Sequence, residues 1–162
     1  MEPVRYVDLL NRRYAMQGFP PYRWTTNEPT ELTPLGKPLS QARVSMLTSG
    51  GVSHCTMPTW DAFARNDFRL DEVDPRSTAP DFSVSDSYYD TTDAEVDVNT
   101  VFPIDRIREL AAEGVIGEVA PRLWSGFMGR IYKRTHLLEE AAPALAGELH
   151  DDDVDLFLLV PA

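Results

Sequence analysis

The sequence predicts an α/β protein: three layers, with a mainly parallel sheet between flanking helices, preceded by an irregular proline-rich N-terminal arm. Three observations predict it. A strand-like run at residues 43–48 (RVSMLT) stops at two glycines. Residues 104–111 and 135–149 carry apolar side chains at helical spacing. Residues 154–160 (VDLFLLV) form an apolar run of the kind found in strands buried on both faces of a parallel sheet.

In chain order, residues 1–40 read as the arm and 41–162 as the α/β domain. A helix is expected over 4–16, with Val7, Leu10 and Tyr14 on one face. Pro20, Pro21, Pro29, Pro34 and Pro38 then disfavour regular structure. Tyr22 and Trp24 among them suit either an extended packed arm or a segment docking on another subunit. After the strand at 43–48, Ser49-Gly50-Gly51 reads as a turn that needs no Cβ. Residues 67–97 hold ten Asp or Glu against Arg69 and Arg76; a short strand is expected at 82–85 and loop elsewhere.

The helix at 104–111 presents Ile104, Ile107, Leu110 and Ala111, with Pro103 at its start and Gly114 beyond its end. A short strand is expected within 115–120 and a two-glycine loop at 125–129. In the helix at 135–149, Leu138, Ala141, Leu145 and Leu149 share one face, and Pro143 kinks it or delays its start. A buried parallel strand normally leads into a crossover helix, but here Pro161-Ala162 follow. The uncovered face of that strand is therefore expected to meet a partner or a second copy.

Composition narrows the function. Of 162 residues, 43 % are hydrophobic and 10 % aromatic, which excludes wholesale disorder. Fifteen Lys and Arg against 26 Asp and Glu give a net charge of −11, which argues against sequence-independent nucleic-acid binding and a membrane-surface role. Cys55 is the one cysteine, so no internal disulfide is expected. No run of about 18 apolar residues spans a membrane, and no apolar segment follows the N-terminus as in a signal peptide. A cytoplasmic location is expected.

In open α/β sheets, ligands bind beyond the carboxyl ends of strands. Gly50-Gly51 sits there, either as a plain tight turn or as backbone N–H groups facing an anion. It carries no dinucleotide or P-loop fingerprint. His54 and Cys55 are adjacent, so in a strand they point to opposite sides, which argues against a Cys–His pair. A calcium loop starting at Asp93 fails because Val98 stands where Gly is required and Ile104 where Glu is required. His54, His136, His150 and Cys55 have no zinc spacing, and no G-x-S-x-G elbow exists.

Residues 44–54 (VSMLTSGGVSH), 89–110 (YDTTDAEVDVNTVFPIDRIREL), 113–120 (EGVIGEVA), Gly126-Phe127-Met128-Gly129 and the closing VDLFLLVPA together resemble the selenoprotein B family of glycine, sarcosine, betaine and D-proline reductases. The short D-proline reductase type is the nearest likeness, and the resemblance covers roughly residues 20–162. It implies an oxidoreductase subunit whose selenocysteine or cysteine lies in a U-x-x-C or C-x-x-C motif directly after the last apolar strand, just beyond Ala162. It also implies a partner subunit whose pyruvoyl group holds the amine substrate, no cofactor or metal in this chain, and a thiol system as reductant. The selenolate attacks the carbon next to nitrogen, because the ionised form is the nucleophile.

By the same resemblance, Gly50, Gly51, Tyr89, Asp90, Asp93, Phe127, Met128 and Gly129 line the substrate crevice, and His54 is a candidate catalytic group. Asp86 departs from the pattern: relatives tend to carry His after that serine, so an imidazole is missing there. Two other readings compete: a non-catalytic binding or interaction protein that retains the fold, and a small-molecule or metal-binding domain using the Asp-rich loop.

Overall fold

The computed structural model describes residues 6–21 and 28–162. Residue 4, where the first helix is expected to start, and Tyr22 and Trp24 lie outside them. The chain divides into two units, Met1–Pro34 and Leu35–Ala162. The first contains α1 (Tyr6–Met16). It ends at Gly18, whose φ of +77° suits the left-handed turn there, and the Phe19 ring sits edge-on to Tyr14 at 6.2 Å.

The second unit is built on β1 (Arg43–Thr48), and it is the α/β domain. In chain order it adds β2 (Val52–His54), β3 (Leu70–Val73), β4 (Phe82–Val84), α2 (Thr92–Val96) and α3 (Ile104–Ala112). Then come β5 (Glu118–Val119), β6 (Leu123–Gly126), α4 (Arg134–His136), α5 (Ala142–Asp151) and β7 (Leu156–Val160). Strand β1 pairs in parallel with β5, β6 and β7, and β3 runs antiparallel to β6. A strand has two edges, and β7 occupies residues 44–48 of one. Strands β5 and β6, at residues 43–44 and 47–48, therefore share the other. β2 and β4 form a separate antiparallel ribbon.

Alternation along β1 makes three layers. Val44 and Met46 enter a core with Phe102, Ile104 and Ile107 beneath α3. Leu47 turns to the opposite face, where it meets Trp124 and Leu145 of α5. Ser45 is buried on that face because its hydroxyl donates to the Arg122 carbonyl at 2.8 Å. Arg122 itself clamps α5 to the sheet: its guanidinium contacts Glu148 and both carboxylate oxygens of Asp152.

Four expectations need correction. The acidic stretch is not all loop outside residues 82–85, since it also holds β3 and α2. Strand β3 is obscured in the sequence by Asp71, which is buried because Arg69 pairs with it at 2.8 Å. Residues 123–126 are a buried strand, so the expected loop begins at Phe127. The last helix is interrupted by a π-turn at Leu137–Ala141, just before Pro143. Pro143 has no N–H for the normal ladder, and the Ala142 N–H bonds five residues back to the Leu137 carbonyl. That register shift turns Leu138 out of the predicted face, leaving it 69 % exposed. Finally, β7 is an edge strand among the described residues, with Leu158 and Leu159 exposed rather than buried on both faces.

Candidate functional site

The carboxyl ends of β1, β6 and β7 converge on the Ser49-Gly50-Gly51 turn. Thr48 begins it. Its hydroxyl donates to the Val101 carbonyl at 2.7 Å and accepts the Gly50 N–H at 3.1 Å. Tyr89 Oη donates to the Gly50 carbonyl at 2.8 Å. The Gly51 N–H reaches the Met128 sulfur at 3.1 Å, and the Gly51 carbonyl accepts the Ser85 N–H at 2.9 Å. All four backbone polar groups of the pair are thus engaged within the chain, and neither N–H is offered to an anion. The thioether is a weak acceptor, so the Gly51 N–H is the least firmly held of the four.

Gly51 is required where it stands. Its φ is +69°, and a Cβ there would collide with the Ser85 carbonyl and come within 3.2 Å of the Asp86 side chain. The neighbouring loop at 127–129 has a similar origin. Phe127 and Gly129 both have positive φ, +59° and +72°. This double turn drives Met128 inward, where it is buried beside Gly51, and seats Gly129 against the Ala64 backbone. A non-glycine residue in the left-handed region stores of order 1–2 kcal/mol, a cost typical of functional loops.

Tyr89 and Asp86 set the electrostatics beside the turn. Burial, reinforced by the negative charges of Asp86 and Glu95, pushes the Tyr89 phenol up to about 12. Tyr89 is therefore a neutral donor at any physiological pH. Asp86 holds its own loop by accepting the Tyr88 N–H at 2.6 Å.

Gly50, Gly51, Tyr89, Met128 and Gly129 thus cluster. Other sequence candidates lie apart. The Phe127 ring packs on the α5 side, against the Leu47–Trp124–Leu145 core. Asp90 accepts the Thr92 N–H and hydroxyl, which lowers its pKa and fixes the start of α2. Asp93 is exposed on that helix. His54 stands at the far end of β2, about 10 Å of strand from Gly51. Its Nδ1 lies 2.7 Å from the Thr56 hydroxyl and its ring is edge-on to Phe82. Cys55 follows β2, so its thiol is not held opposite the imidazole; it is exposed, 4.0 Å from His54 Nδ1. Sequence reasoning missed Thr48 and Ser85, whose roles rest on a side-chain cap and a backbone contact that no motif encodes.

Among the described residues, no group of three or more His, Cys, Asp or Glu could hold a metal, and no helix is long and apolar enough to cross a membrane. No solved structure matches the chain. Two curated proteins resemble it. D-proline reductase subunit gamma of Acetoanaerobium sticklandii is 34 % identical over 131 residues, which is 81 % of this chain and 53 % of that protein. Glycine reductase complex component B subunit gamma of Symbiobacterium thermophilum is 32 % identical over 128 residues, which is 72 % of this chain and 28 % of that protein. The chain thus spans about half the length of the first relative and less of the second. The family model of glycine/sarcosine/betaine reductase selenoprotein B matches residues 4–161, and the chain belongs to that family.

Proposed function

We propose that this chain is part of a selenol- or thiol-dependent reductase subunit that cleaves a C–N bond of an amino acid or amine. The nucleophile in this reading is carried by residues directly following Ala162. The observation that supports it is where β7 emerges. The Ser49 N–H donates to the Val160 carbonyl at 3.3 Å, and the Ala162 N–H reaches Ser49 Oγ at 3.4 Å. Residues continuing from Ala162 would start at the turn that Gly50, Gly51, Tyr89 and Met128 build.

The selenolate or thiolate forms a bond to the carbon beside nitrogen, and the C–N electron pair leaves on nitrogen, which takes a proton. A neighbouring thiolate then attacks the sulfur or selenium, and the carbon leaves with its electron pair and is protonated. A dithiol reductant returns the resulting disulfide or selenenyl sulfide to its reduced form. Tyr89, neutral throughout, braces the turn and does not act as a base. The Asp86 carboxylate beside Gly51 favours a cationic amine at the rim. In this reading the amine is held by a pyruvoyl group on a partner subunit, the complex works in the cytoplasm, and this chain supplies no cofactor of its own.

The test is the coding sequence downstream of the Ala162 codon, followed by assay of the full frame with its partner on D-proline, glycine and betaine. An in-frame UGA or cysteine codon with a cysteine three codons on, and reduction of one of these substrates, is expected. A stop codon with no frame behind it overturns the proposal in favour of a non-catalytic binding protein.

A further inference from the structure

Most basic side chains of the second unit are neutralised in place. Lys37, Arg43, Arg69, Arg76, Arg106, Arg108 and Arg122 all pair with carboxylates. Arg65, Arg130 and Lys133 form no ion pair among the described residues, in a chain of net charge −11. They lie together. Arg65 and Arg130 are bridged as neighbouring backbone segments, and Asn66 Oδ1 accepts the N–H groups of Tyr132 and Lys133 at 2.6 and 2.9 Å. The Tyr88 hydroxyl donates to the Ala64 carbonyl at 3.0 Å, and the Arg130 guanidinium lies 4.7 Å from the Tyr88 ring centroid.

Three loops are thereby stitched into one platform that also exposes aromatic rings, with Phe63 75 % and Tyr132 62 % accessible. Arginine and aromatic side chains on a pre-ordered surface are the composition of interaction hot spots, because little ordering entropy remains to be lost on docking.

A surface of opposite character lies elsewhere on the same unit. Ala79, Pro80, Phe82, Glu95, Val96 and Asp97 line a groove of about 420 Å³ between the ribbon and α2. Val96 is 86 % exposed at its edge. Asp93, Glu95 and Asp97 surround it and form no ion pair among the described residues; Arg106, whose field reaches Asp97, is itself paired with Glu109 at 2.9 Å.

We propose that the Phe63–Tyr132 platform, with its Arg65, Arg130 and Lys133 charges, docks on the acidic, apolar-lined groove at Val96 of a second copy of this chain. The occupant follows from complementarity of charge: on the platform Arg65, Arg130 and Lys133 outnumber the neighbouring Asp61 and Asp67, the groove rim is acidic, and each surface exposes apolar side chains that the contact would bury. Ring burial supplies affinity, and the rim charges set register and exclude a like-charged approach. The two faces differ, so the contact is heterologous, and each copy keeps one face of each kind for a further neighbour. The assembly is therefore a closed ring or a growing chain rather than a two-fold dimer. This inference is independent of the reductase reading.

Sedimentation of the 162-residue chain at physiological salt, over a series reaching sub-millimolar concentration, tests it. The wild type should grow beyond two chains with concentration. Arg130→Glu with Lys133→Glu, and separately Glu95→Lys with Val96→Lys, should each be monomeric, with unchanged circular dichroism and the melting temperature of dilute, unassembled wild type. These side chains are exposed, so folding should be spared. An equimolar mixture of the two variants retains one intact face from each and should give a species of two chains and no larger. A wild type that stays monomeric, variants that associate like wild type, or a mixture that stays monomeric overturns the proposal. Binding only to a different acidic protein, with no self-association, also overturns it.

Discussion

At Gly51, two separable costs meet. The left-handed backbone alone costs a side chain about 1–2 kcal/mol. The contact with the Ser85 carbonyl adds a clash with backbone, which cannot swing aside. Gly114 provides the control: its φ is +73°, and nothing lies within 4 Å of where an alanine methyl would stand. Gly114→Ala should therefore cost about 1 kcal/mol, and Gly51→Ala at least about 3 kcal/mol, in denaturant unfolding. Equal losses would mean that the Gly51 turn relaxes freely. Tyr89 makes a prediction in pH. Its folded pKa is raised above the ordinary value of 10.0, so the folded chain holds the proton more tightly than the unfolded one. That contribution is complete below pH 10 and is lost as pH rises toward about 12. The unfolding midpoint of wild type should fall across this window more steeply than that of Tyr89→Phe. The variant should start lower at neutral pH because the Gly50 carbonyl loses its donor. Parallel curves would rule out Tyr89 as the group responsible.

Among the elements, β1 and β7 show what the pattern of apolar residues does and does not reveal. The six residues of β1 were legible because a strand, two glycines and a following ribbon leave a distinct punctuation. Strand β7 was legible as a strand, but its hydrophobicity mimicked central burial. Pairing decides burial, and β7 has one neighbour among the described residues. Strand β3 was illegible for the opposite reason, since its buried Asp71 depends on Arg69, two residues away in sequence but a partner only once the chain is extended. The edge position of β7 is testable. Leu159 is 62 % exposed, whereas Met46 on the neighbouring β1 is fully buried. Leu159→Lys should change stability by no more than about 0.5 kcal/mol, whereas Met46→Ala should cost about 2–5 kcal/mol by leaving a cavity. A large loss at Leu159 would mean that this face is covered in solution.

For the whole molecule, the three-layer order was legible from the alternation of elements, while the site was legible only in part. Gly50-Gly51 and Tyr89 converge because β1 and the loop before α2 meet at one sheet end, whereas His54, three residues from Gly51 in sequence, is carried away by the ribbon. Proximity in sequence and proximity in space part company wherever a strand intervenes. Charge acts at a third, longer scale. The net −11 is repulsion summed over many separations, while the ion pairs are contacts of 4 Å or less. The Debye length falls from about 30 Å at 0.01 M to about 8 Å at 0.15 M ionic strength. That change removes repulsion between distant carboxylates and leaves most of each contact pair, of which the exposed ones contribute at most about 1 kcal/mol each. The melting temperature of the chain should therefore rise between these two salt concentrations. It should rise less for a variant in which exposed acids such as Asp93 are replaced by Asn, because less repulsion is there to screen. A melting temperature that falls with salt would show that the local pairs, Arg122 with Glu148 and Asp152 foremost, outweigh the excess of negative charge.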